Sequence, residues 1–163
     1  MDITHTLHDT WVLWAHLPHD QDWSNESYKE LMSFHTVEEA IRLLEAIPAN
    51  MLTSCMIFIM RQGIRPLWED SKNINGGCFS YKIDNRYIST VWKDLTYSLI
   101  GETLANDGSI QESINGITVS PKKNFGIVKI WLSTCKYQNP SMMRDLFPTM
   151  ISQGSIFKRH MDS

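Results

Sequence analysis

The sequence predicts an α+β fold, a curved and mostly antiparallel β-sheet with about three α-helices packed on its convex face. Strand-like runs dominate the chain, short turns join several of them, and helical patterns are interspersed. The first run, Thr10 to Ala15, is rich in Trp, Val and Leu. Tyr28 to Phe34 alternates, with Tyr28, Glu30, Met32 and Phe34 on one face. Thr36-Val37-Glu38-Glu39 reads as a capping box, Thr36 accepting from the backbone while Glu39 reaches back; it opens a helix to about Ala46. Cys55 to Arg61 is nearly all apolar, as a central strand would be, and Cys78 to Ile83 follows the turn signal Asn75-Gly76-Gly77. A second helix starts at Ser89 or Thr90 and repeats Val91, Trp92, Leu95, Leu99 and Ile100 at helical spacing. Gly116 to Ser120 and Ile127 to Thr134 flank the connection Pro121–Gly126 and read as a hairpin. Asn139-Pro140-Ser141 starts a third helix through Met142, Leu146 and Met150, with Pro148 bending or ending it.

The 163 residues suit one domain, 1–163, long enough to bury a core without disulfides or metals. There is no internal repeat, low-complexity tract or long linker. No apolar run approaches a membrane span, and Met1-Asp2-Ile3-Thr4-His5 lacks a basic-then-apolar leader pattern. The expected location is the cytoplasm or nucleus, away from membranes, and the expected state is a monomer. Cys55, Cys78 and Cys135 are odd in number and far apart, with no ligand spacing; each is expected to be a small buried apolar residue, with no metal or cofactor implied. A net charge of −3 argues against diffuse polyanion binding. Acids prevail in residues 1–60, however, and Lys122, Lys123, Lys129, Lys136, Arg144, Lys158 and Arg159 crowd the C-terminal third. That asymmetry fits either a local anion site or ordinary solvated faces.

Of six tryptophans, Trp11, Trp14 and Trp92 lie on apolar strand or helix faces and read as core. Trp23 and Trp68 sit in polar loops, where a large aromatic is either a lid on the domain or a stacking surface. Two loop indoles beside a carboxylate suggest a specific ligand. A guanine methylated at N7 is cationic, so two indoles would sandwich it with cation–π attraction added to stacking. Glu69 would accept from the N1–H and N2–H of the base, unless it is only a solvated loop acid. Nearby lysines would meet phosphates. In Ile127–Leu132, alternation separates Ile127, Lys129 and Trp131 from the obvious core set Val128, Ile130 and Leu132. Trp131 is thus either a third aromatic flooring a pocket or a half-buried packing residue.

These residues resemble the eukaryotic translation initiation factor 4E family, the messenger-RNA cap-binding proteins. The matching stretches are Trp11-Val12-Leu13-Trp14, Phe34-His35-Thr36-Val37-Glu38-Glu39, then Gly63 through Asn73 with Gly76-Gly77. Trp92, Leu99-Ile100-Gly101-Glu102 and Ile130-Trp131 follow in family order. The resemblance implies that Trp23 and Trp68 stack the cap base, Glu69 reads the guanine edge and Trp131 touches the N7-methyl region. Lys122 falls at a phosphate-binding arginine. A second basic ligand is replaced by Ile127, for which Lys129 or Lys123 would substitute, and Cys78 stands where another basic residue often sits. The C-terminal loop is expected to be shortened or absent, with Lys158, Arg159 and His160 at the pocket rim.

On the convex face, the resemblance implies a scaffold initiation factor of the 4G type, or a co-adapted equivalent, as partner. His5 and Leu7 lie in what remains of the N-terminal motif. Val37 is kept, Ile41 stands at the helix Trp position, Lys93 and Tyr97 replace leucines, and Asp94 keeps an acid. This partly recharged groove fits a divergent or virus-encoded member. Three functions follow: cap binding in translation initiation, a cap-sequestering repressor, or an enzyme acting on capped RNA or nucleotides. The third lacks a metal-binding carboxylate cluster or nucleophile motif.

Overall fold

The computed structural model describes residues 3–146 and 150–161. Among the described residues, seven strands form one antiparallel, curved sheet. They are β1 (Thr6–His16), β2 (Tyr28–Thr36), β3 (Met56–Arg61), β4 (Gly77–Asp84), β5 (Ile114–Pro121), β6 (Phe125–Leu132) and β7 (Ile156–Arg159). Their spatial order is β2-β1-β3-β5-β6-β4-β7. Helices α1 (Val37–Ala46), α2 (Ala49–Leu52), α3 (Ile88–Ile100) and α4 (Gly108–Glu112) interrupt them.

Alternation gives the sheet two unequal cores. Trp11, Leu13, Ile57, Ile59, Phe79, Ile83, Ile117, Val128 and Ile130 join Trp92, Leu95 and Leu99 of α3 in the larger one. The intervening residues Val12, Trp14, Phe58, Met60, Cys78 and Trp131, with Ile64, form a smaller core on the opposite face. Residues of one strand thus serve both sides at period two.

The α1 cap forms as predicted: Thr36 Oγ1 accepts from the Glu39 N–H at 3.1 Å, and Glu39 accepts from the His35 N–H at 3.2 Å. The hairpin of β5 and β6 closes with the Lys122 N–H donating to the Phe125 carbonyl at 2.8 Å. Gly76 is required because a side chain there would run into the Leu132 carbonyl of β6.

Four expectations need correction. The third helix is a single 3-10 turn, Pro140–Met142, capped by Asn139. Beyond it the backbone pairs with residues 104–106: Arg144 N–H donates to the Leu104 carbonyl at 2.7 Å and Asn106 N–H to the Met142 carbonyl at 3.0 Å. Met143, Leu146 and Met150 still enter the core, so the apolar signal was real but its geometry is extended; Pro148 lies outside the described residues. The alternation of β2 breaks because Leu13 and Trp14 oppose Met32 and Glu30, a bulge at Leu31. Phe34 therefore faces the larger core and Tyr28 the smaller. Cys135 is half-buried rather than core, its thiol donating to the Asn75 and Gly76 carbonyls. Finally, β6 ends at Leu132, two residues before the expected Thr134.

Candidate functional site

The face opposite the helices gathers much of the predicted chemistry. Cross-strand pairing sets Trp131 between Gly116 and Cys78, and Lys129 between Thr118 and Ser80, with Lys158 opposite Cys78. Trp131 is only 8% exposed, and its indole N–H donates to Thr118 Oγ1 at 2.7 Å. Trp11, Trp14 and Trp92 are buried with no hydrogen-bond partner for their indole N–H among the described residues, and serve packing, with the Arg61 guanidinium 4.4 Å over the Trp11 ring. Trp131 is the one of these four whose ring plane is fixed by a hydrogen bond.

Trp68 is 43% exposed on the loop between β3 and β4. That loop is rigid from within. Asp70 accepts from the N–H groups of Arg65 and Lys72 at 3.0 and 2.9 Å. Fully buried Asn73 donates to the carbonyls of Arg65 and Leu67 at 3.0 and 2.9 Å. Asn115 of β5 in turn donates to Asn73 Oδ1 and the Lys72 carbonyl. Ile64 anchors the start of the loop in the smaller core, while Trp68 stays on the surface. Asp70 and Asn73 lie in the matching stretch Gly63 through Asn73 without an assigned role, and Asn115 carries no sequence signal; only the turn-forming Asp and Asn spacing hints at the first two.

Trp23 is 57% exposed. Its ring stacks on buried His16 at 3.8 Å and 6°, and it meets Tyr28 edge-on. His16 Nε2 bonds the Asp22 carbonyl at 2.8 Å, and Asp22 accepts from the Ser24 N–H, which lowers its pKa. Burial, and then the charge of Glu69, hold the Tyr28 phenol above its usual range. His16 and Tyr28 were also missed, since nothing in a local pattern distinguishes a histidine that backs an indole.

Trp68 and Trp131 line a cavity of about 180 Å³ with Cys78, Ser80, Lys129, Lys158, Arg159 and His160. An aromatic wall, an aromatic floor and three cations thus meet, as a stacked ring bearing an anionic tail requires. His160 lies 5.1 Å from the Trp131 ring and 3.8 Å from Cys78 Sγ. Burial, then Lys129, lowers His160 to about 4, and burial pushes the Cys78 thiol up to about 12. At neutral pH both are uncharged, so the cavity holds no thiolate nucleophile.

Trp23 and Glu69 stand outside this lining, as do Lys122 and Lys123. The two lysines are exposed in the β5–β6 turn, beyond Phe125 and so about 20 Å from Trp131 at strand rise. On the helical side, the Val37 N–H donates to the His5 carbonyl at 2.9 Å, and His5 Nδ1 meets Glu38 at 2.6 Å. Leu7 and Tyr97 pack on the larger core, whereas Ile41, Lys93 and Asp94 are exposed. A broader depression of about 530 Å³ there includes Asp94, Tyr97 and Arg144, and Tyr97 is the one aromatic ring among its described lining residues.

The family model described as Eukaryotic initiation factor 4E matches residues 6–161. The chain belongs to the eukaryotic initiation factor 4E family. Eukaryotic translation initiation factor 4E-2 of Schizosaccharomyces pombe is 33% identical over 138 residues, covering 81% of this chain and 55% of that relative. The chain spans about half to two thirds of the length of the curated relatives it matches. Among solved structures, Ascaris suum eIF4E-3 with an m7G cap is 26% identical at a TM-score of 0.72, covering 82% of this chain and 77% of that one. The C. elegans eIF4E-3 complex with the 4E-binding protein Mextli and a cap analog is 25% identical at a TM-score of 0.72, covering 82% and 76%. The antiparallel curved sheet with helices on one face is thus the initiation factor 4E fold.

Proposed function

We propose that this chain binds the 7-methylguanosine 5′ cap of messenger RNA and serves translation initiation in the cytoplasm. The observation that carries the reading is the cavity in which exposed Trp68 and hydrogen-bonded Trp131 meet Lys129, Lys158 and Arg159. Trp68 stacks one face of the cationic base. Trp23, backed by His16, offers its ring to the other, as the sandwich requires. Glu69 accepts from the guanine N1–H and N2–H and so rejects adenine. Trp131 meets the methylated edge. Lys129 takes the place that Ile127 vacates, and Lys158, Arg159 and His160 close the phosphate side. Lys122 and Lys123 act further along the strand hairpin.

The site works by binding alone, in keeping with a non-catalytic family. On the other face, His5, Leu7, Val37, Ile41, Lys93, Asp94 and Tyr97 receive a helical segment of a 4G-type scaffold factor or a co-adapted equivalent. Initiation is favoured over repression because relatives matched across this fold are named as initiation factors.

Tryptophan fluorescence titrated separately with 7-methyl-GTP and GTP tests the cap reading. Strong quenching by the methylated ligand and little by GTP is expected, because only the former carries the positive charge that two indoles reward. Equal responses would overturn it.

A further inference from the structure

We propose that the far end of the same sheet face, where Lys82 covers the ring of Phe125, is a second subsite that takes the RNA chain beyond the cap. It rests on the cap reading above and extends it to the transcript itself.

Phe125 opens β6 on the same face as Ile127, Lys129 and Trp131. Its ring is half-buried, yet among the described residues it belongs to neither hydrophobic core and is not packed against them. A large apolar side chain held at a strand end without a core to fill is an available stacking plane. Lys82 Nζ lies 4.4 Å from the ring centroid, so a cation already occupies the π face. Lys82 is exposed and pairs across the sheet with Ile127, between the cavity and Phe125. The single acid opposite Phe125, Asp84, is held by Arg86 at 3.1 Å, which neutralises its repulsion of a phosphate. The adjoining turn adds exposed Lys122 and Lys123.

Read along β6, the order is aromatic, cation, cation, aromatic: Trp131, Lys129, Lys82, Phe125. At strand rise this line is about 20 Å long. A cap in the cavity would direct its phosphates past Lys129, and the following nucleotides toward Lys82. The flexible lysine then leaves the ring for a phosphate oxygen, and a base takes its place on Phe125. Stacking of this kind tolerates any base, so the subsite would favour RNA length rather than sequence. It also gives work to Lys122 and Lys123, which the cavity leaves out.

Affinities of 7-methyl-GTP and of a capped hexaribonucleotide, measured by calorimetry on the whole chain, test this. For Phe125→Ala the hexamer should bind about tenfold more weakly, and for Lys82→Ala about threefold, with 7-methyl-GTP unchanged within twofold. Phe125→Trp should keep hexamer affinity and guards against a folding artefact in the alanine variant. Parallel losses for both ligands, or no loss for the hexamer, would overturn the subsite while leaving the cap reading intact. Failure of the unmodified chain to bind 7-methyl-GTP would overturn the cap reading, and the subsite with it.

Discussion

Trp68 and Asn73 share one loop but contribute differently to it. Trp68 supplies the surface, so Trp68→Ala should weaken 7-methyl-GTP binding by about 1–3 kcal/mol with little change in melting temperature. Asn73 supplies the shape: Asn73→Ala leaves the Arg65 and Leu67 carbonyls without their donor and should cost about 1–3 kcal/mol of stability in a denaturant titration. Thr118→Val separates floor from wall in the same way, because it removes the acceptor of the Trp131 indole while preserving shape. Loop position marked Trp23 and Trp68 in the sequence, and both are exposed. Trp131 stayed ambiguous there, since alternation gives a face but not a hydrogen-bond partner. His16, Asn73 and Asn115 were illegible because their roles depend on partners brought together only by folding.

At the scale of elements, strong local signals transferred well. The capping box and the apolar runs of β3 and β6 appear where their chemistry put them. Two elements misled. The bulge in β2 reverses which residues face the site, and no composition rule reveals an unpaired residue inside a regular alternation. The 139–146 segment has helical apolar spacing but finds its backbone partners in residues 104–106. Strand β7 went unseen because four residues carry too little pattern. It is tied down where the His160 N–H donates to the Gly76 carbonyl at 3.0 Å. His160 takes a proton near pH 4 when docked, against 6.5 when free. The contribution of neutral His160 to docking is therefore fully present above pH 6.5 and is lost as pH falls from 6.5 towards 4. Amide exchange at His160, corrected for intrinsic rate, should show protection falling across that window; His160→Gln should flatten the trend.

For the whole molecule, the proposed function gives the two faces of the sheet two separate tasks. The helical face keeps the larger core and presents Ile41 and Lys93 to solvent, where the resemblance leads one to expect Trp and Leu. An ordinary scaffold-factor helix should bind it weakly. The double variant Ile41→Trp/Lys93→Leu should bind such a peptide at least tenfold more tightly by calorimetry, with 7-methyl-GTP affinity unchanged. The fold class was legible in the sequence because strand and helix periodicities are local. The order of strands was not, since pairing β3 with β5 and β4 with β7 joins distant segments.

The irregularity at Leu31 has a further consequence for survival in a crowded solution. Strand β2 is an outer margin of the sheet and leaves Leu31 and Met32 48% and 40% exposed, an invitation to self-association. An extra residue there twists the margin out of line, so a neighbouring chain finds no straight row of donors and acceptors to copy. The opposite margin is protected by brevity, at four residues. Excising Leu31 would straighten the first margin, and insoluble material should accumulate before any ligand is lost.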